Sequence, residues 1–575
     1  MKHLFSCLKA YRTESVLAPL FKLFEAVLEL FVPLVVAEIV NRGTATGDKS
    51  VIIWGTVILV CFGVVGLVFA LTAQFFAAKA AVGASAELRT RLFHKLQSYS
   101  YAQIDKMGTA TMITRMTSDV NQVQTGVNMS LRLLLRAPII VFGAMGFAYL
   151  VDVRAALVIT GVIPLLALVV CGVMAACMPL YRRVQEKLDG VYSSTRENLE
   201  GVRVIRAFCR EEDEIKEFTA RSEALKRSQK KAGRIAAVTA PITFVLINVA
   251  AILLVWVGAI RVDAGALEQG DVLALYSYLS LILVELVKLA NLFVVISRVF
   301  PSMKRIGSAL DERGEPQVLS EDVAAENAPE TNAPALAFEG VTFRYAEGGA
   351  PALQNISFSL NRGETLGILG GTGSGKSTLA GLIPRFYAVE EGSVRVDGVN
   401  VNAIPVEELR SRVGIVPQRA VLFRGTIREN LLWGNPSATE EELLAAVNAA
   451  QAADVVGAKG GLDGEVAQEG RNLSGGQRQR LTIARALVRN PEILILDDSA
   501  SALDYATDAR LRAALKERGG TTVIISQRAA SVMHADKILL LDDGAISDMG
   551  THNELMSRSS LYREIYFTQF REGTV

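Results

Sequence analysis

The sequence predicts two folds in one chain: an all-α membrane domain of six helices over residues 1–310, then an α/β domain with a helical subdomain over 336–575. Three observations predict this. Six apolar stretches fill the first half, and runs of that length stop after residue 310. A strand pattern, a glycine-rich loop and an amphipathic helix pattern then follow one another over 365–386. At 575 residues the chain exceeds an ordinary single domain. Its 60 Lys+Arg against 59 Asp+Glu give a formal charge of +1, without the basic surplus of a nucleic-acid binder. A mean hydropathy of +0.31 excludes disorder as its general state. Cys7, Cys61, Cys171, Cys177 and Cys209 all lie in the first half without metal-ligand spacing, so neither a disulfide framework nor a zinc site is predicted.

The apolar stretches are Leu17–Val40, Val51–Ala78, Leu131–Val151, Ala155–Leu180, Ile235–Ile260 and Val272–Phe300. Each reaches the roughly 20 helical residues that cross about 30 Å of hydrocarbon. The first is too long for a cleaved signal peptide, and no small-residue cleavage site follows it. Before it, Met1–Arg12 carries Lys2, Lys9 and Arg12 and suits a short helix on the membrane surface. Connections 41–50, 152–154 and 261–271 are short, whereas 79–130 and 181–234 are long, polar and rich in helix formers. That alternation puts both long connections on one side of the membrane.

Ionisable residues inside spans are costly and demand a reason. Glu25 and Glu29 lie one turn apart in the first stretch, with Glu38 beyond them. Glu285 and Lys288 are three apart in the sixth, close enough to pair on one helix face. Two readings stand: a polar cavity for a cationic or amphipathic substrate, or pairing between helices. Pro33, Pro138, Pro164 and Pro241 are bending points within spans. Residues 311–335 then change character, with seven acidic residues and Pro316, Pro329 and Pro334, and read as a solvated connector.

In the second half, Thr365–Gly370 reads as a buried strand and Ser377–Phe386 as a helix. Between them Gly370, Gly371, Thr372, Gly373, Ser374, Gly375, Lys376 and Ser377 fit G-x-x-x-x-G-K-[ST]. The backbone N–H groups of such a loop cradle phosphates at a helix N-terminus, with Thr378 next along the helix. Lys376 would reach the β- and γ-phosphates, and Ser377 would ligate Mg²⁺. The apolar strand Ile493–Asp497 ends in a second Mg²⁺-holding carboxylate, Asp497. These features call for ATP and Mg²⁺. Cytosolic ATP then puts the C-terminus inside, and six spans put the N-terminus there too.

Leu473, Ser474, Gly475, Gly476 and Gln477 (LSGGQ) precede a helical stretch and resemble the signature of ATP-binding-cassette proteins. The resemblance covers the whole chain and implies an exporter-type half-transporter in the bacterial plasma (inner) membrane. It implies that Tyr345 stacks on adenine and that Gln418 senses Mg²⁺ and the membrane domain. Asp504, in SALD, would contact the opposite subunit. Residues within 100–119 and 195–211 would form short helices pressing on the cassettes. Cassettes of this family work in pairs, each ATP lying between the phosphate loop of one chain and the LSGGQ of the other. A single chain with one cassette therefore needs a partner.

Two departures stand out. Asp498 occupies the place of the family's catalytic Glu, and Gln527 that of its switch His; Gln468 also replaces a common Glu before LSGGQ. A carboxylate one methylene short misplaces the attacking water, and an error of about 1 Å costs on the order of 10²-fold in rate. The expectation is the degenerate-site subunit of a heterodimeric multidrug-type exporter of amphipathic drugs or lipids. Its partner would carry the Glu and the His. A homodimeric exporter, a siderophore-type importer on the same fold and an ATP-gated channel are the alternatives.

Overall fold

The computed structural model describes residues 1–318, 333–346, 348–389 and 391–570. They form two compact units: those within 1–97 and 110–312, and those within 98–109 and 313–575.

In the first unit the six apolar stretches fall on the helices Arg12–Glu38, Lys49–Gln97, Arg136–Val151, Val153–Glu200, Glu211–Asp263 and Gln269–Asp311. The second is 49 residues long, or roughly 70 Å at 1.5 Å per residue, far more than about 30 Å of hydrocarbon. The long polar connections are thus largely helical extensions of the spans. Among the described residues, four helical stretches are apolar and long enough to cross a membrane: Lys49–Gln97, Thr109–Val151, Glu211–Asp263 and Gln269–Asp311. The fourth helix is apolar over Val153–Val169. The first falls short because Lys22, Glu25 and Glu29 crowd its middle.

Those charges are met inside the protein. Lys22 pairs with Glu25 at 2.6 Å and Lys288 with Glu285 at 2.7 Å. Arg136 bonds Glu29 through one guanidinium nitrogen and Glu285 through another. It is 6% exposed and Glu285 only 2%. The pairing reading of these residues therefore holds, with one Arg joining the first, third and sixth long helices. Glu38 instead pairs with Arg42 one turn away, at 3.1 Å. Elsewhere the second long helix buries Ala73, Ala77, Ala80, Ala81 and Ala84, small residues that let helices approach closely.

The third stretch is not one helix. Helix Val120–Leu133 ends and helix Arg136–Val151 begins after a turn at 134–135. Pro138 has no N–H to offer the carbonyl of Leu134, so the ladder is interrupted there. Pro33, Pro164 and Pro241 lie within unbroken helices.

The second unit holds two larger sheets. A four-stranded antiparallel one runs Leu353–Leu360, Leu336–Phe343, Glu391–Val396 and Val399–Asn400. The six-stranded one has the spatial order Ala545–Gly550, Lys537–Asp542, Thr365–Leu369, Thr521–Ser526, Ile493–Asp497, Val413–Val416. All its pairings are parallel except that of the edge strand Ala545–Gly550. Strands Ile493–Asp497 and Thr521–Ser526 are buried at every position, as central parallel strands covered on both faces must be. Helices Ile427–Leu432, Glu440–Ala449, Ala453–Ala458 and Gly475–Val488 pack as the helical subdomain.

Two sequence expectations need correction. The phosphate-loop helix spans Lys376–Leu382, shorter than predicted, because a turn follows in which Arg385 adopts φ +54°. The connector is not free at its start. Glu315 forms a two-pronged pair with Arg410 (2.7 and 2.9 Å), and Arg385 donates to the carbonyls of Pro316 and Gln317, both at 2.8 Å. A carboxylate in an acidic run here meets a guanidinium rather than water. Residues 319–332 of the connector lie outside the described residues.

Candidate functional site

In a parallel sheet ligands gather beyond the C-terminal strand ends. Four neighbouring strands end here on the sequence-predicted residues. Thr365–Leu369 runs into the phosphate loop, Thr521–Ser526 into Gln527, Ile493–Asp497 into Asp498, and Val413–Val416 toward Gln418. Pairings Leu369↔Ser526 and Asp497↔Ile525 set these ends level.

The loop needs its glycines. Gly373 and Gly375 have φ of +85° and +96°, and a Cβ on Gly375 would sit 2.7 Å from the Ala352 carbonyl oxygen. On Gly370 it would meet the Leu541 carbonyl at 2.2 Å, whereas Gly371 faces open space. Ser374 donates to the Gly371 carbonyl at 2.9 Å. Lys376 folds back over the loop, donating to the Gly370 carbonyl at 2.8 Å and also to that of Gly371. Burial lowers the ammonium's pKa, while Asp498 and Asp497 pull it back up.

Ser377 Oγ donates to Asp497 Oδ1 at 3.1 Å, so the two oxygen ligands expected for Mg²⁺ already touch. Burial pushes the Asp497 carboxyl up, and Asp498 adds to that, against the hydrogen bond from Ser377 and the charge of Lys376. Asp498 takes φ +45°, a region that Asp tolerates better than most residues. Its N–H donates to the Ile525 carbonyl at 2.9 Å, and Gln418 Nε2 reaches its carboxylate at 3.4 Å. The backbone thus fixes where this short carboxylate begins.

Gln527 presents an exposed side chain from a tightly held segment. Next to it, Arg528 donates to the carbonyls of Ala500 (3.3 Å), Ser501 (3.1 Å) and Leu503 (3.1 Å) and lies over the Tyr505 ring. The segment that carries Asp504 is therefore tied to the switch position. Asp504 itself caps helix Tyr505–Arg518, accepting from the Thr507 N–H at 2.8 Å, which lowers its pKa.

LSGGQ opens helix Gly475–Val488 with a capping box: Gln477 N–H donates to Ser474 Oγ, and Ser474 N–H to Gln477 Oε1. Leu473 is buried. Gly475 faces open space, and a Cβ on Gly476 would lie 2.8 Å from the Ala502 carbonyl. This is an exposed helix N-terminus suited to an anion. Among the described residues no hydrogen bond joins it to the phosphate loop of the same chain.

Tyr345 is 59% exposed, with its hydroxyl 2.9 Å from Thr378 Oγ1 and its ring edge-on to Phe343 and Tyr387. Tyr387 in turn donates to Asp105 at 2.5 Å, in helix Tyr101–Met107. Tyr101 stacks on Phe386 at 4.0 Å with the Arg410 guanidinium nearby. Residues 98–109 thus build part of the cassette unit beside the aromatic expected to hold the base. A second short helix falls in the other predicted coupling segment, at Val202–Ala207.

In the membrane unit a cavity of about 580 Å³ is lined by Leu28, Val32, Phe62 and Leu67 together with Glu25, Glu29 and Arg136. Arg136, Arg528, Tyr387 and Gln569 are functional candidates that sequence reasoning missed. Each bonds main chain or a distant side chain, and none belongs to a spaced motif.

Residues 15–286 match the family described as ABC transporter transmembrane region, and 353–501 the family described as ABC transporter. An uncharacterized ABC transporter ATP-binding protein of Bacillus subtilis, YfiB, is 39% identical, with 100% of both chains covered. An ATP-dependent lipid A-core flippase of Chromobacterium violaceum is 29% identical, over 95% of this chain and 92% of that one. The solved structure of a bacterial Atm1-family ABC exporter with ATP bound superposes with a TM-score of 0.82, covering 98% of this chain and 99% of that one at 24% identity.

Proposed function

Because the chain belongs to the ABC transporter family and has an exporter fold, we propose that it is the degenerate-site subunit of a heterodimeric ATP-driven exporter. One observation carries this reading: the sheet edge that builds the ATP site ends in Asp498 and Gln527, where hydrolysis calls for a longer carboxylate and an imidazole. A homodimer would carry this defect at both sites. The capped, exposed LSGGQ helix supports a role toward a partner's ATP.

In this reading the phosphate loop holds ATP through its N–H groups and Lys376, with Tyr345 against the base. Ser377 and Asp497 fit Mg²⁺, a hard cation that takes oxygen ligands and keeps its remaining positions for phosphate and water. The ion would neutralise phosphate charge when bound. ATP binding brings two cassettes together, and residues 98–109, hydrogen-bonded to Tyr387 through Asp105 and stacked on Phe386 through Tyr101, carry that movement toward the spans. Hydrolysis at the partner's site then resets the pair. The chain lies in the plasma (inner) membrane with its N-terminus and cassette in the cytoplasm. The likeness to a lipid A-core flippase and the apolar lining of the cavity support an amphipathic substrate, a drug or a lipid.

The test is a transplant. The partner's catalytic Glu is changed to Gln, which silences the assembled pair, and Asp498→Glu with Gln527→His is introduced into this chain. ATP turnover is expected to return by on the order of 10²-fold over the silenced pair, the scale of a restored 1 Å in positioning. Turnover that stays at the silenced level overturns the degenerate-site reading.

A further inference from the structure

The segment bearing Gln527 is held from outside the nucleotide site. Helix Ser560–Gln569 ends on a side chain whose amide uses both of its functions. Gln569 Nε2 donates to the Gln527 carbonyl at 2.8 Å, and Gln569 Oε1 accepts from the Ala529 N–H at 2.8 Å. The two bonds straddle residue 528 and hold the main chain on each side of it. A glutamine amide carries a donor and an acceptor side by side, which is what the Gln527 carbonyl and the Ala529 N–H require.

The helix that presents Gln569 is itself firmly docked. Tyr562 is fully buried and its hydroxyl lies 2.8 Å from His552 Nδ1. Tyr562, Ala529 and Val532 share one apolar cluster, against which Tyr566 and Phe570 also pack. On the far side Arg528 is bonded to the carbonyls of Ala500, Ser501 and Leu503. Gln527 therefore projects from backbone fixed on both flanks, while its own side chain is exposed.

We propose that Gln569 is a positioning residue for the γ-phosphate contact: the C-terminal helix latches the switch segment so that Gln527 distinguishes ATP from ADP. The inference rests on reading Gln527 as the switch residue. The phosphate loop and Lys376 keep their own contacts in these variants, so losing the latch removes only the Gln527 contact to the γ-phosphate, which costs ATP affinity and spares ADP.

The experiment measures ATP and ADP binding to the full chain in lipid nanodiscs, for the wild type, Gln527→Ala, Gln569→Ala and the double variant. Gln569→Ala is expected to lower ATP affinity about threefold to tenfold, the range of one or two exposed hydrogen bonds, with ADP affinity unchanged. Gln527→Ala is expected to do the same, and the double variant no more than either. Gln569→Glu keeps the bond from Ala529 but turns an oxygen on the Gln527 carbonyl, and is expected to match Gln569→Ala. If Gln527→Ala leaves the ATP-to-ADP ratio intact, the switch reading fails and the latch with it. If Gln527→Ala lowers the ratio and Gln569→Ala does not, the latch alone fails. Additive losses, or equal losses of ATP and ADP, make Gln569 merely structural and overturn the proposal.

Discussion

Lys376→Met is expected to weaken ATP binding to this chain by about 10²-fold. A hydrogen bond to a charged group contributes about 1.5–3 kcal/mol, and Lys376 has two phosphates to reach. The substitution also changes the site's field. Lys376 is the cation that opposes Asp497 and Asp498 in the electrostatics of this sheet edge. Without it a polyanion meets two carboxylates. The fold is expected to survive, because the ammonium's present partners are loop carbonyls and one hydroxyl, and Met keeps the apolar stem. Equilibrium binding of labelled ATP checks it; affinity within threefold of wild type would mean that Lys376 does not contact phosphate.

Arg136→Met acts on the other unit and is expected to destabilise it by about 3–5 kcal/mol, the cost of breaking a buried pair and stranding its partners. Glu285 is 2% exposed and, among the described residues, would keep only Lys288, while Glu29 would lose the one ion pair described for it. Adding Glu285→Gln removes the stranded charge, so the double variant is expected to regain most of the loss. Thermal unfolding in lipid bilayers reads both. A single variant as stable as wild type would mean that water or lipid headgroups already screen these carboxylates.

Motifs made of consecutive residues were legible in the sequence. The phosphate loop, the strand ending in Asp497 and LSGGQ are each built from residues adjacent along the chain, so their spacing is fixed by local geometry. Most of the apolar stretches were legible for the same reason, since helix length against bilayer thickness is a local count; the break at 134–135 in the third was not. Arg136 was not legible: its partners Glu29 and Glu285 lie 107 and 149 positions away, and only packing brings them together. Gln569 and Arg528 bond to carbonyls and N–H groups, which every residue possesses, so no side-chain pattern marks their targets. Residues 98–109 read as part of the membrane half because they sit between spans. They fold into the cassette unit because Tyr101 and Asp105 find Phe386 and Tyr387 there. Glu315 misled in the opposite sense, since an acidic run signals solvation unless an arginine such as Arg410 is folded against it.

Asymmetry between the two ATP sites is read out by Mg-ATPase activity in lipid. The purified chain is assayed alone, then co-expressed with a half-transporter that carries Glu and His at the positions of Asp498 and Gln527. Near-zero turnover is expected alone, full turnover with the partner, and loss of that turnover when the partner's Glu becomes Gln. Robust hydrolysis by this chain alone, at the mass of its own dimer, would contradict the asymmetry and make Asp498 the base of a homodimeric transporter.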